Sequence, residues 1–367
     1  MKDLLKKLIS IPSVNPSMGG TGEAELSSYL FDRLSALGVE VVRQEVFPGR
    51  ENIAARIGSS KEPAILLEAH MDTVAVDPWA EGSPFSPEEE GGRIYGRGSC
   101  DTKASMAVFL SCFEYFVSNS EQLKRPLVFA ATVDEEEKQT GAYKLMDLNW
   151  PFYGAIAGEP TLCGMINQHK GCVRFAIEVS GKAAHSSSPE LGENAISRMG
   201  EIIRRMDEYR DSLQTAAVSE MGGPTVSIGI IKGGAGVNIV PDHCRIEVDR
   251  RTVPGESGDG IVASITERLS DLPWAKVVPG LLRPSMATSV DEPFCEELAN
   301  AIKVHGAFRG FESARYMTSA VAYSAKKIPS LVFGPGDISK AHMNDEFVEF
   351  SELEKAKAIL LTLLAKK

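Results

Sequence analysis

Two patterns of secondary structure share this chain, and their order is what most limits its fold. Up to about residue 168, short apolar runs alternate with amphipathic helices. Leu26, Leu30, Leu34 and Leu37 recur on one helical face and Gly38 follows as a stop, so Ala24 to Leu37 reads as a helix. Strands are expected at Val39 to Gln44, Ile53 to Ile57, Ile65 to Ala69, Leu127 to Thr132 and Ala155 to Ala157, with a buried helix over Thr102 to Val117. From Gly171 the order changes to strand (Val173 to Val179), helix (Asn194 to Tyr209), two strands (Thr225 to Ile231 and Cys244 to Arg250), helix (Gly258 to Leu272) and a strand at Lys276 to Val278. After about Leu282 the first pattern resumes with a helix at Pro293 to His305 and a strand at Ser330 to Phe333. A last helix is expected to open with the capping box Ser351-x-x-Glu354.

The expected fold class is therefore α/β. A mixed central sheet flanked by helices, from residues 1–168 and 283–367, is interrupted by a ferredoxin-like βαββαβ domain over 169–282. A chain of 367 residues is long enough for two cores. Its 50 acidic residues outnumber the 39 basic ones, which argues against a broad basic surface for nucleic acid or anionic membranes. No run of about 18 apolar residues is present to span a bilayer, and Met1 to Ile9 reads as a short amphipathic helix and not as a signal peptide. Six scattered cysteines without Cys-x-x-Cys spacing fit reduced thiols in a cytoplasmic protein; Cys100 stands out because it adjoins Asp101.

The chemistry is expected at strand ends. The run Ala64 to Ala69, read as a buried strand, ends in His70-Met71-Asp72. Residues at i and i+2 share a strand face, so Asp72 can hold the His70 imidazole in one tautomer while its other nitrogen binds a cation. Four more segments put acids or a histidine beside turn residues: Asp101 at the mouth of a helix, Asp134-Glu135-Glu136-Glu137 directly after a strand, Glu159 before Pro160, and Gly334-Pro335-Gly336-Asp337 leading to Ala341-His342. Two imidazoles and three carboxylates crowded together need cations to stay ionised. Nitrogen and oxygen donors without thiolate suit zinc, cobalt or manganese.

Five segments, in order, resemble the dinuclear zinc metallopeptidase and aminoacylase family: His70-Met71-Asp72-Thr73-Val74, Gly96-Arg97-Gly98 through Asp101 to Lys103, Asp134-Glu135-Glu136, Gly158-Glu159-Pro160-Thr161, and Ala341-His342. The resemblance runs from Pro12-Ser13-Val14-Asn15-Pro16 to Glu346. It implies two divalent ions, zinc first, with cobalt or manganese as alternatives. Asp101 would bridge them, His70 and Glu159 would complete one site, and Glu136 and His342 the other. Asp72 would stand behind His70, and Glu135 would be the general base and acid for an activated water attacking an amide. Aligned on the family's Asp-Glu-Glu, the acidic run assigns these roles to Glu135 and Glu136 and leaves Glu137 aside.

In the inserted domain, Gly181-Lys182-Ala183-Ala184-His185 resembles the lid segment whose histidine serves the partner subunit's active site, which implies a homodimer formed through this domain. Asn238 and Arg251 fall in segments that resemble the family's substrate-carboxylate contacts, with Arg251 as the bidentate guanidinium. The expected substrate is thus a small molecule with a free carboxylate. The ending Gly334-Pro335-Gly336-Asp337-Ile338 through His342 resembles the acetylornithine deacetylase and desuccinylase branch, implying removal of an acyl group from an N-acyl amino acid. The alternatives are a dipeptidase or carboxypeptidase of the same family, or a non-catalytic binding relative. One departure bears on substrate: the family often has Thr-Asp-Ala where this chain has Thr318-Ser319-Ala320. His169, His243 and His305 match no motif and are read as structural.

Overall fold

Strand Ala64–His70 is buried at every position, as is Leu127–Thr132, because both faces of the sheet they occupy are covered. In the computed structural model, which describes residues 1–76, 79–80, 82–213 and 221–366, the chain divides into two compact units. The first comprises Met1–Gln168, Ala287–Glu312 and Thr318–Lys367, and the second His169–Met286 and Ser313–Met317. The second unit thus reaches past the expected boundary at 282 and takes in a short segment from much later in the chain.

In the first unit the strand order is Glu40–Phe47, Arg50–Ile57, Leu127–Thr132, Ala64–His70, Phe152–Ala157, Ser330–Val332 and Met165–His169. Ala64–His70 runs parallel to both its neighbours, and Ser330–Val332 runs parallel to Phe152–Ala157. Arg50–Ile57 is antiparallel to Leu127–Thr132, so the sheet is mixed. Four parallel strands therefore end on one edge, where ligands gather in open α/β sheets. Helices Lys103–Ser118, Pro293–Val304 and Phe350–Leu364 cover one face through Phe109, Phe113, Leu298 and Leu360. Thr140–Leu145 and Ala320–Ser324 cover the other, where Leu66, Val128, Ala155 and Tyr323 pack together.

The second unit has a four-stranded antiparallel sheet in the order Thr225–Gly233, His243–Thr252, Gly171–Ser180, Ala275–Arg283. Helices Ala195–Leu213 and Gly258–Arg268 pack Met199, Ile202, Ile261 and Ile265 against it. Numbered along the unit, the strands lie 2-3-1-4, the ferredoxin-like arrangement. Several boundaries differ from expectation: the first helix runs on to Leu213 and the second strand to Gly233. The second helix ends at Arg268, because Leu269 to Leu272 tighten into i to i+3 turns. The last strand spans nine residues despite Pro279, because it lies at the sheet edge, with a register shift between Pro279 and Leu282.

The expected capping box of the last helix does not form. Strand Phe347–Glu349 pairs with Arg93–Tyr95 and runs straight into the helix, which begins at Phe350 with Glu349 extended at its N-cap and no side-chain cap. Ser351 falls inside the first turn, and the Glu352 carboxylate accepts the Gly336 N–H at 2.7 Å. Among the described residues no helix is long and apolar enough to cross a membrane.

Candidate metal centre and active site

His70 closes its strand with the ring buried, and its Nδ1 donates to the Asp72 carbonyl oxygen at 2.9 Å. That bond places a proton on Nδ1 and turns Nε2 toward Asp101, whose Oδ1 lies 3.1 Å away. The other oxygen of Asp101 lies 3.3 Å from Nε2 of His342. One carboxylate thus offers an oxygen to each of two imidazoles. Glu136 Oε2 approaches His342 Nε2 at 3.2 Å, and Glu159 Oε1 lies 4.0 Å from His70 Nε2. Donor atoms of His70, Asp101 and Glu136 lie within 4.8 Å of one another, and so do those of His70, Glu135 and Glu159.

The Asp72 carboxylate lies behind His70 and has a further role. Its Oδ1 is 3.6 Å from His70 Nδ1, so the backbone carbonyl, not the side chain, orients the ring. The carboxylate instead accepts the Glu135 N–H at 2.9 Å, the Glu136 N–H at 3.0 Å and the Asn15 amide at 2.8 Å. It therefore orders the acidic run after strand Leu127–Thr132, which turns through Asp134 at φ +69°. The Gln139 side chain backs Glu135, donating to its carbonyl at 2.8 Å and its Oε1 at 3.3 Å. Glu137 turns away and pairs with Lys138 at 3.4 Å. Glu159 is held by its surroundings: Gly334 passes so close that a Cβ there would meet the Glu159 carbonyl oxygen at 2.6 Å.

Crowded acids in a dry volume push one another's pKa up. Burial first, then the neighbouring carboxylates, raise Glu135 and Glu159 well above the ordinary range, and Glu136 is also raised. Burial opposes charge on His70, but the Asp101 and Asp72 carboxylates raise its pKa well above the usual value. Hydrogen bonds to Asp101 and Glu136 raise His342 to about 10. The donor set fits cations: its charges are mostly of one sign, and its nitrogen and oxygen atoms converge. Cys100 is not among them, since its buried thiol donates to the Asp337 carbonyl at 3.3 Å and burial raises its pKa well above normal.

Glu346 was not singled out for a role by its sequence pattern, yet it builds the loop that carries Asp101. Its fully buried carboxylate accepts the N–H groups of Gly98, Cys100 and Asp101 at 3.1, 2.8 and 2.9 Å, and Arg97 Nη1 at 2.6 Å. Burial raises its pKa, and Arg97 opposes that rise. Lys103 of the same motif is buried, donates to the Ile11 carbonyl at 2.8 Å, and is lowered to about 7 by burial.

His185, Asn238 and Arg251 lie in the second unit. His185 pairs in register with Ile239, is exposed, and its Nδ1 meets Ser187 Oγ at 2.7 Å. The Asn238 carbonyl accepts the Ser186 N–H at 3.0 Å. Arg251, half-buried, donates to Asp249 at 2.8 Å. Arg250 points elsewhere, buried against Tyr209 and Glu256. Sequence patterning did not single out Lys170, 4% exposed, whose Nζ donates to the Gly223 carbonyl at 2.7 Å. Burial and the guanidinium groups of Arg315, Arg250 and Arg251 lower its pKa.

Residues 66–366 match peptidase family M20/M25/M40. This chain belongs to that family. Its M20 membership makes it an amide hydrolase, and similarity extends over nearly all of its length. Acetylornithine deacetylase of Vibrio campbellii is 34% identical, covering 97% of this chain and 95% of that one. Acetylornithine deacetylase of Vibrio cholerae serotype O1 is 32% identical, covering 99% and 97%. An M20 metallo-carboxypeptidase structure from Sulfolobus solfataricus superposes with a TM-score of 0.80 at 19% identity, over 98% of this chain and 97% of that one, and so shares the fold.

Proposed function

We propose that this M20 hydrolase is an N-acyl amino acid deacylase of the acetylornithine deacetylase type. The observation that carries the reading is Asp101, with one oxygen on each of two imidazoles and Glu135 beside them. Two divalent ions, zinc first, would be held by Asp101 between them, by His70 and Glu159 at one position, and by Glu136 and His342 at the other. Such ions supply Lewis-acid polarisation and lower the pKa of water from 15.7 to about 7. Glu135, backed by Gln139, takes the proton of the attacking water and returns it to the leaving amine. Asp72 holds Glu135 and Glu136 in place through their N–H groups.

Arg251 and Asn238 bind the substrate's free carboxylate, and the cations Lys170 and Arg315 near Arg251 favour an anionic ligand. His185 donates to the developing oxyanion across a homodimer boundary. Exposed Ile230, Ile231, Val237 and Ile239 in the second unit support that assembly, and six buried free thiols support a cytoplasmic setting. The full-length deacetylase relatives favour an acyl amino acid over a dipeptide. The test is turnover of N-acetylornithine, N-succinyl-diaminopimelate and dipeptides by the zinc-loaded protein, each with its carboxylate free and amidated. Preference for a free-carboxylate N-acyl amino acid is expected; equal rates on amidated substrates overturn the carboxylate role, and faster dipeptide cleavage overturns the deacylase reading.

A further inference from the structure

The acidic run that carries Glu135 is held from a second side. Asp72 takes the Glu135 and Glu136 N–H groups, while Asp134, just before them, is gripped by Glu23 and Arg50. Glu23 stands at the N-cap of helix Ala24–Ser35 and is fully buried. Arg50 opens strand Arg50–Ile57, with 14% of its side chain exposed. Its Nε and Nη2 each donate to one Glu23 oxygen at 2.6 Å, the two-pronged geometry that fixes both partners. The Phe47 ring flanks the guanidinium, its centroid 4.8 Å away. Glu23 Oε1 also accepts the Asp134 N–H at 3.2 Å, and Arg50 Nη2 lies 3.6 Å from Asp134 Oδ1. Two buried carboxylates thus share this guanidinium.

Asp134 needs such a grip. Its φ of +69° lies in the left-handed region, which residues with a side chain hold only where the surroundings impose it. Thr140 Oγ1 donates to Asp134 Oδ2 at 2.6 Å, the Asn15 amide donates to Oδ1 at 3.5 Å, and the Asp134 carbonyl accepts the Gln139 N–H at 2.7 Å. The turn at Asp134 leads the chain out of strand Leu127–Thr132 and brings the Glu135 carboxylate within 4.8 Å of the donor atoms of His70 and Glu159. Among the described residues, neither Glu23 nor Arg50 makes a hydrogen bond or ion pair with His70, Asp101, Glu136, Glu159 or His342. We propose that Glu23 and Arg50 are positioning residues for the proton-moving carboxylate: from a helix cap and a strand start they lock Asp134 in its left-handed turn and so fix where Glu135 stands. This inference rests on the role proposed for Glu135 above.

The test is Arg50→Ala, read by hydrogen exchange of the metal-free protein and by kcat and KM at saturating zinc. Exchange in the segment 133–137 is expected to quicken at least tenfold, with that of helix Phe350–Leu364 unchanged. A small displacement of Glu135 should lower kcat about 10–100-fold and leave KM within about twofold, because the pair acts through Asp134. Guanidinium ion, too dilute to denature, fills the space left by the side chain and restores kcat at least about threefold; sodium chloride at the same ionic strength does not. Parental exchange at 133–137, parental kcat in the folded variant, or no response to guanidinium overturns the proposal. So does equal acceleration of exchange along the whole chain, which a merely structural pair would give. Should Arg50→Ala not fold, Arg50→Gln takes its place, with the same exchange and kcat losses expected and their absence equally decisive. If the parent cleaves no amide, the role of Glu135 has failed. Exchange at 133–137 then still decides whether Glu23 and Arg50 hold Asp134.

Discussion

Glu346→Gln tests how the loop carrying Asp101 is held. The carboxylate is fully buried, with the Cys100 and Asp101 N–H groups on Oε1 and the Gly98 N–H and Arg97 Nη1 on Oε2. Glutamine keeps the volume but has one acceptor oxygen, so whichever way its amide turns, two donors face an NH2 group. If the NH2 faces Arg97, that guanidinium loses its charge partner as well. A hydrogen bond to a charged group is worth about 1.5–3 kcal/mol, and breaking a buried ion pair costs about 3–5 kcal/mol. These losses overlap, so the expected destabilisation is about 3–5 kcal/mol. At about 2–4 °C per kcal/mol for a unit of this size, Tm of the metal-free protein should fall by roughly 10 °C. Scanning calorimetry with a chelator present measures it. A Tm within about 2 °C of the parent would refute the reasoning.

Asp72→Asn should leave the His70 ring in place, because the backbone carbonyl holds it, but free one of the Glu135 and Glu136 N–H groups. Zinc affinity or kcat is expected to drop about 10–100-fold, as read by chelator competition and steady-state kinetics. His169 gives a pH signature outside the centre. Burial lowers it from 6.5 to about 4, and its Nδ1 donates to the Lys170 carbonyl at 2.8 Å. Its folded pKa lies below the unfolded one, so the unfolded chain binds more protons between the two. Stability attributable to this residue is intact above pH 6.5 and falls as pH drops toward 4, by about 3 kcal/mol at the limit. His169→Gln should flatten that part of the stability curve in denaturant titrations at pH 4 and 7.

The parallel strands were legible because their runs are almost wholly apolar, and His70, Glu135, Glu136 and Glu159 were legible because they stand at the ends of such strands, whereas Asp101 stands at the mouth of a helix and His342 on the loop that follows Ser330–Val332. His70, Asp101, Glu135, Glu136, Glu159 and His342 come from five separated segments, and parallel pairing of Ala64–His70 with its neighbours aligns those ends on one edge. The partners behind the centre were less legible. Glu346 acts through backbone amides about 245 residues earlier, a contact no local spacing encodes. The Ser351 capping box failed because pairing of Phe347–Glu349 with Arg93–Tyr95 overrode a local cap. Lys170 and Arg315 lie far apart in sequence, and only the fold of the second unit brings their charges together.

The central claim is that Glu135 moves the proton while the residues around it hold the ions. Glu135→Gln keeps the side chain's size and its backbone bond to Asp72. The decisive measurement pairs elemental analysis of this variant with its kcat on the best N-acyl amino acid substrate. Two zinc ions per chain retained, with kcat lowered by about 10²–10⁴-fold, is the predicted result. A zinc-replete variant with kcat within tenfold of the parent would contradict it.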